Sequence, residues 1–435
     1  MNVVVKRVSL ILLGLIIGVL ALIGLLTQVR GTPVRSINPA GTRDFPPAVG
    51  DSLFARTIAL FVGAEMQPGN QVTILSNGDE TYPRLWADLR SAKRTITAQM
   101  YYSKPGAVAD TFTLILAERA RAGVKVLLLL DAFGSQPLLD APGWKDSVEN
   151  AGVIVRRLRP LKWLSLHKAS MRSHARVIVV DGVTAYTGGF GLADYWLGDG
   201  RSDGQWREAN VRFVGPAAPQ LQAAFAAGWA EATGELIVGD AYFPPNAFRE
   251  QGPTQAALFH SVPTTGSTPA ERFLGLTISG ARKTLYITNS YFVPDDDLRR
   301  LLIQAARRGT DVRVLTVGEK TDVKSTWWAG RSSYDQLLEG GVRIYEYIPT
   351  MMHGKSIVAD GEWMTIGSMN FDNRSISFNN ETNLIALDTV VGATMDSIFR
   401  DDLHRSTEIR LAEWRTRPWW KRPIERGAAM LSRLL

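Results

Sequence analysis

Two stretches of the chain repeat one another at a constant offset. His174-Ala175-Arg176, Asp181-Gly182 and Gly188-Gly189 return 179 residues later as His353-Gly354-Lys355, Asp360-Gly361 and Gly367-Ser368. A duplication of this kind calls for two similar half-structures. It can also bring two imidazoles and two cations into one pseudo-symmetric site. Such a site suits a phosphodiester: one imidazole attacks phosphorus, the other protonates the leaving oxygen, and the cations hold phosphate oxygens.

The surroundings of the motifs repeat as well. Before the first, a strand is expected at 95–102, a helix from Asp110 to Ala122 capped by Gly123, and a buried strand from Val124 to Leu130. Before the second come a strand from Thr284 to Asn289, a helix from Asp296 to Arg308, Gly309 and a strand from Val312 to Val317. Strand, helix, strand in each half implies a duplicated α/β fold. The halves should meet near 240–255, where Gly239, Pro244, Pro245, Gly252 and Pro253 cluster. Val177–Val180 and Ser356–Ala359 have the composition of short strands ending in Asp-Gly turns. Strand alternation would set His174 and Arg176 on one face, and likewise His353 and Lys355.

The chain has five histidines, His167, His174, His260, His353 and His404. Only His174 and His353 occupy equivalent repeat positions with a cation two residues on, so these two are the catalytic candidates and the other three take a structural reading. A catalytic imidazole works best with a carboxylate on its second nitrogen. Glu208 and Glu381 are the candidates, 34 and 28 residues after the histidine of their own half. Ser368 and Asn370 can donate to phosphate oxygens. Asp181 and Asp360, each followed by glycine, are expected to hold turns or strands.

At 435 residues, with 45% hydrophobic and 21% charged residues, the chain should be globular in two parts. The absence of cysteine excludes disulfides, thiolate catalysis and cysteine-bound metals. The 19 uncharged residues Val8 to Leu26 follow Lys6 and Arg7, and as a helix they match the ~30 Å of a bilayer core. No small-x-small cleavage pattern follows, so a retained single-pass anchor is expected, with the globular part outside. Gly14 and Gly18 would let two such helices pack closely, as in a homodimer. At the other end, residues 414–435 carry Trp414, Trp419 and Trp420 with six cations against Glu425, which suits a membrane surface.

The doubled motif, with Gly367-Ser368-x-Asn370-x-Asp372-x-Arg374-Ser375, Tyr291-Phe292-Val293-Pro294-Asp295, Asp131-Ala132-Phe133-Gly134-Ser135, Trp206-Arg207-Glu208 and the Trp/Arg-rich tail, resembles the phospholipase D superfamily. More narrowly it resembles bacterial cardiolipin synthases, over about residues 60–435. The resemblance implies an α/β fold of two pseudo-symmetric phospholipase D-like lobes, each a mixed sheet flanked by helices, beside the transmembrane helix. The corresponding divisions are an anchor at 1–30, a linker at 31–55, lobes at 56–245 and 246–410, and a membrane-surface tail at 411–435. It implies no metal and no cofactor, a bacterial inner-membrane location, and an anionic phospholipid substrate. The implied reaction is ping-pong through a phosphatidyl-histidine, resolved by a second phosphatidylglycerol or by water. By position His174 would be the nucleophile and His353 the general acid, later base. Lys355, Arg176, Asn370 and Ser368 would bind phosphate, and Glu208 and Glu381 would orient the histidines. Two positions depart from the pattern: Arg176 stands where the family has lysine, and Gly191 where the second copy has Asn370. They leave room for a low-activity lipid-binding relative. A nucleic-acid phosphodiesterase would share the chemistry. It would need a basic groove with stacking aromatics in the body, and with the cations gathered in the tail no nucleic acid is expected.

Overall fold

The computed structural model describes residues 3–28, 33–38, 46–160, 171–264, 266–430 and 432. His167 lies outside them, as do Arg30 and Arg433. The first half supplies strands β1 (Gln67–Ser76), β2 (Thr95–Met100), β3 (Lys125–Asp131), β4 (Ile154–Leu158), β5 (Val177–Val180), β6 (Thr184–Gly188), β7 (Trp206–Arg207) and β8 (Ala209–Val214). The second supplies β9 (Thr254–Ser261), β10 (Thr284–Asn289), β11 (Asp311–Val317), β12 (Arg343–Tyr347), β13 (Met351–Met352), β14 (Lys355–Ala359), β15 (Trp363–Gly367), β16 (Glu381–Leu387) and β17 (Ser406–Ile409).

Fifteen of these strands form one mixed sheet, in the order β17-β12-β11-β10-β14-β15-β16-β9-β1-β8-β6-β5-β2-β3-β4. Read outward from the central β9·β1 pair, the two sides repeat: β16 matches β8, β15 matches β6, β14 matches β5, and β10, β11 and β12 match β2, β3 and β4. β2·β3·β4 and β10·β11·β12 run parallel through helical crossovers, while the motif strands join antiparallel. The duplication therefore appears as one sheet shared by both halves rather than as two separate sheets. It curls on itself, since Thr187 of β6 meets Thr382 of β16 at 3.0 Å.

Local chemistry explains the elements. β2 is buried at all six positions rather than on alternate ones, as its place between two neighbours with both faces covered requires. Helix Pro269–Gly280 begins with a Thr268/Glu271 capping box and a proline in its first turn. Helices Asp296–Arg307 and Thr389–Leu403 start on the side chains of Asp295 and Asp388. One apolar core draws Val177, Phe213 and Trp229 from the first half and Val358, Met364 and Phe399 from the second. The two halves are thus held together by burial of shared apolar surface.

Both ends depart from expectation. Helix Val3–Gln28 forms as expected, with Val5 to Ala21 exposed throughout. Among the described residues, however, no helix is long and apolar enough to cross a membrane. At the C-terminus Trp414 is buried against the body, with the Arg417 and Arg331 guanidiniums 3.8 and 4.6 Å from its ring centroid. Buried Glu425 accepts from Arg417 at 2.9 Å. This part of the tail is a packed structural element, whereas Trp419 and Trp420 are exposed.

Candidate active site

The four motif residues that carry chemistry meet at the junction of the halves, and all are buried: His174, Arg176, His353 and Lys355. The pairing of histidines with glutamates crosses between halves. His174 Nδ1 lies 3.0 Å from Glu381 Oε2, and His353 Nδ1 lies 2.6 Å from Glu208 Oε2. Each glutamate thus serves the histidine of the opposite half rather than its own. Two short backbone pairings cause this. Met351-Met352 of β13 pairs parallel with Trp206-Arg207 of β7, and the His353 N–H donates to Arg207 O at 2.7 Å. Symmetrically, Ser173 bridges to Asn380, whose N–H donates to Arg172 O at 2.9 Å. The residue after each paired segment is a histidine on one chain and a glutamate on the other. With Nδ1 engaged by carboxylate in both rings, His174 keeps Nε2 for chemistry, while that of His353 also meets the Lys355 ammonium at 3.2 Å.

The cations are placed differently from what strand alternation implied. His174 to Arg176 precede β5, while Lys355 opens β14. Arg176 donates to Phe190 O at 3.2 Å and to His174 O at 2.5 Å, and its guanidinium lies 5.4 Å from the Tyr101 ring centroid. Lys355 Nζ donates to His353 O at 2.5 Å and to Ser290 Oγ at 2.9 Å, and lies 3.2 Å from His353 Nε2. Ser290, which also donates to His353 O at 3.0 Å, and Tyr101, packed edge-on at 4.7 Å from the His174 ring, had no signal in the motifs.

Ser368 and Asn370 separate in role. The Ser368 hydroxyl donates to Glu381 Oε2 at 2.5 Å and accepts from Thr382 N–H, so it steadies the glutamate instead of facing phosphate. Asn370 Oδ1 accepts from Ser290 Oγ at 3.3 Å, which leaves its amide N–H group as the end suited to phosphate. Asp181 accepts backbone N–H bonds from Lys93, Arg94 and Thr95, and Asp360 from Arg282, Lys283 and Thr284. These aspartates pin the starts of β2 and β10 from a left-handed backbone (φ +53° and +55°). His260 lies in β9 across from Thr382, and His404 caps a helix; neither has a hydrogen bond to the four motif side chains among the described contacts.

The departure at Gly191 has a steric cause, and the structure gives none for arginine at 176. A Cβ on Gly191 would sit 2.6 Å from the Trp196 ring and 3.0 Å from Tyr102 O. One on Gly189 would sit 2.3 Å from Glu208 Oε2. Trp196 occupies the space that a side chain at 191 would need, donates to Glu208 Oε2 at 3.4 Å, and packs edge-on to His353 at 5.4 Å, with Trp206 at 4.9 Å. Gly191→Asn alone is therefore expected to destabilise the fold by roughly 1–3 kcal/mol through overpacking. Thermal unfolding should show the loss, with no gain in lipid turnover beside it.

Electrostatics follow from burial. It pulls the His174 imidazole down to about 4, with Arg176 adding to the effect and Glu381 opposing it. His353 is held well below its usual value by burial and then by Lys355. Burial pushes Glu208 up to about 7 against the pull of Lys355, and lowers Lys355 to about 8. Near neutrality both rings are uncharged and Glu208 stands close to its own midpoint, so the His353–Glu208 pair can both hold and release a proton there. Two cations beside two neutral imidazoles in one buried cluster are chemically suited to a phosphodiester anion.

Residues 276–403 match the family described as "Cardiolipin synthase, PLD-like domain". The chain is 32% identical over 363 residues to the cardiolipin synthase of Halalkalibacterium halodurans, covering 83% of this chain and 72% of that one. It is also 32% identical over 377 residues to cardiolipin synthase A of Cronobacter sakazakii, covering 84% and 76%. Among solved structures, the fold is similar to phosphatidylserine synthase of Haemophilus influenzae, with a TM-score of 0.67 at 11% identity over 88% of this chain and all of that one. Polyphosphate kinase from Porphyromonas gingivalis is a further fold neighbour, with a TM-score of 0.52 at 12% identity over 79% of this chain and 49% of that one.

Proposed function

The chain belongs to the cardiolipin synthase-like members of the phospholipase D superfamily, and on that premise we propose that it forms cardiolipin from phosphatidylglycerol by phosphatidyl transfer. The observation that carries the proposal is the pair of crossed histidine–glutamate contacts beside Arg176 and Lys355. His174, neutral and oriented by Glu381, attacks the phosphorus of a donor phosphatidylglycerol through Nε2. The bond from phosphorus to the headgroup glycerol breaks, and that oxygen takes the proton held by the His353–Glu208 pair. Free glycerol leaves, and a phosphatidyl group remains on His174. A headgroup hydroxyl of a second phosphatidylglycerol then attacks phosphorus, giving its proton to His353 as His174 departs. Lys355, Arg176 and the Asn370 amide hold the phosphate oxygens throughout, and Ser368 acts through Glu381.

The shares of chain on either side of residues 245–246 correspond to the two halves of this site. Helix Val3–Gln28, uncharged and exposed from Val8 to Ala21, serves as the membrane anchor that brings the site to its lipid, at a bacterial inner membrane. Exposed Trp419 and Trp420 with Lys421 and Arg422 add a surface contact.

Purified full-length protein on phosphatidylglycerol vesicles should yield cardiolipin and glycerol, and neither should appear with His174→Ala or His353→Ala. Phosphatidic acid as the sole lipid product would replace this reading with a hydrolase. No lipid product from the native chain would overturn it.

The pH dependence follows from the same residues. As pH falls through about 4, His174 gains a proton and loses its nucleophilic lone pair. As pH rises through about 7, the His353–Glu208 pair loses the proton the leaving group needs, and above about 8 Lys355 loses its charge. A plot of kcat/KM for donor lipid should therefore fall on the alkaline side between pH 7 and 8, approaching tenfold per unit for each group lost. A profile flat to pH 10 would contradict the assignment of acid to this pair.

A further inference from the structure

Helix Ser52–Val62 buries Phe54, Ala55, Ile58 and Val62 against the body, as an amphipathic helix should. Its opposite face is not polar: Leu53, Leu60 and Phe61 are 53%, 82% and 57% exposed. Leu53 and Leu60 are seven residues apart and share one stripe, with Phe61 beside it. Single exposed leucines are ordinary, but three on one short helix form a patch. Phe61 also borders an open cavity of about 500 Å³ walled by Val34, Ile37, Pro46, Thr57 and Leu276. Arg35 and Arg56 are exposed alongside, and Arg272 at the cavity rim donates to Phe61 O at 2.6 Å.

The position of this patch follows from chain length. Val34 and Ile37 pack over Gly275 at the cavity, only six residues after Gln28 ends the apolar helix. Six extended residues span at most about 20 Å. A bilayer headgroup layer begins where an inserted apolar helix stops, so this face cannot lie far from it. Apolar side chains flanked by arginine match an anionic lipid surface, which attracts cations held close to it.

We infer that the Leu53, Leu60 and Phe61 face, with Arg35 and Arg56, is a second membrane contact that seats the globular part on anionic lipid next to helix Val3–Gln28. The inference rests on the proposal that this helix is inserted in the bilayer. Docking at this point fixes how the globular part sits on its substrate surface, which a single helix followed by a short connection would leave free to rotate.

The chain has no cysteine, so single probes are clean. Leu15→Cys in the apolar helix, Leu60→Cys on the patch and Leu114→Cys, at an exposed first-half position, would each carry an environment-sensitive fluorophore in the full-length protein. Each would be reconstituted in phosphatidylglycerol or phosphatidylcholine vesicles containing a lipid with brominated acyl chains. The inference expects the probe at position 60 to be quenched by brominated lipid, at least twofold more strongly in phosphatidylglycerol, while the probe at 114 is quenched by aqueous iodide. Position 15 quenched by lipid with position 60 behaving like 114 would overturn the inference and leave the anchor standing. Position 15 open to iodide would remove the anchor, and the inference with it. Position 60 shielded from both quenchers would mean that protein, such as a second copy of the chain, covers the patch, which also overturns the inference.

Discussion

His174→Ala is expected to eliminate cardiolipin formation, with a fall on the order of 10⁴–10⁶ in kcat, the range met when a covalent nucleophile is removed. The second imidazole, His353, is 2.6 Å from Glu208 and 3.2 Å from Lys355, an arrangement suited to holding and returning a proton. His353→Ala should cost nearly as much with phosphatidylglycerol, because glycerol would then leave as an unprotonated alkoxide. The two variants should differ with a donor whose leaving group needs no proton, such as a nitrophenyl phosphodiester lipid. His353→Ala should regain a first turnover on it, and His174→Ala should not. Release of nitrophenol measured against enzyme concentration checks this directly.

Replacing the glutamates should cost less, though still roughly 10²–10⁴-fold, as for an orienting carboxylate beside a catalytic histidine. The informative feature is which step each change slows. Glu381→Gln leaves His174 Nδ1 facing an amide that can present the wrong group, so formation of the phosphatidyl-histidine should slow even with an activated donor. Glu208→Gln acts on His353 and should spare that first step with the activated donor, while slowing transfer to the acceptor. Glutamates acting on the histidine of their own half would give the opposite result. The crossed contacts of 3.0 and 2.6 Å decide for the former. Rapid-quench measurement of the two steps in each variant distinguishes them.

Much of this was legible in the residue order. A single offset ties His174, Arg176 and Asp181 to His353, Lys355 and Asp360; the α/β class it implied is present, as one mixed sheet shared by both halves rather than as two separate lobes. β10 and β5 form at the expected residues, because each is a short apolar run bounded by turn signals. Both glutamates were identifiable, but not their partners. That choice depends on β7 pairing with β13 and Ser173 with Asn380, contacts made over more than a hundred residues. Gly191 was visible as a departure, yet its cause lay in Trp196, which has no motif of its own. Ser368 belonged to the site but faces Glu381 rather than the phosphate space. Composition alone could not separate Trp414, which stacks under Arg417 in the body, from Trp419 and Trp420 on the surface.

In the proposed reaction His174, held by a glutamate from the opposite half, carries the phosphatidyl group between donor and acceptor. The direct test is to mix the His353→Ala protein with the activated donor, stop the reaction in alkaline denaturant and map the adduct by peptide mass spectrometry. A phosphatidyl mass on the peptide containing His174, lost when Glu381→Gln is added, is the predicted result. An adduct on His353 of the His174→Ala protein, or no adduct on either histidine while product still forms, would contradict the account.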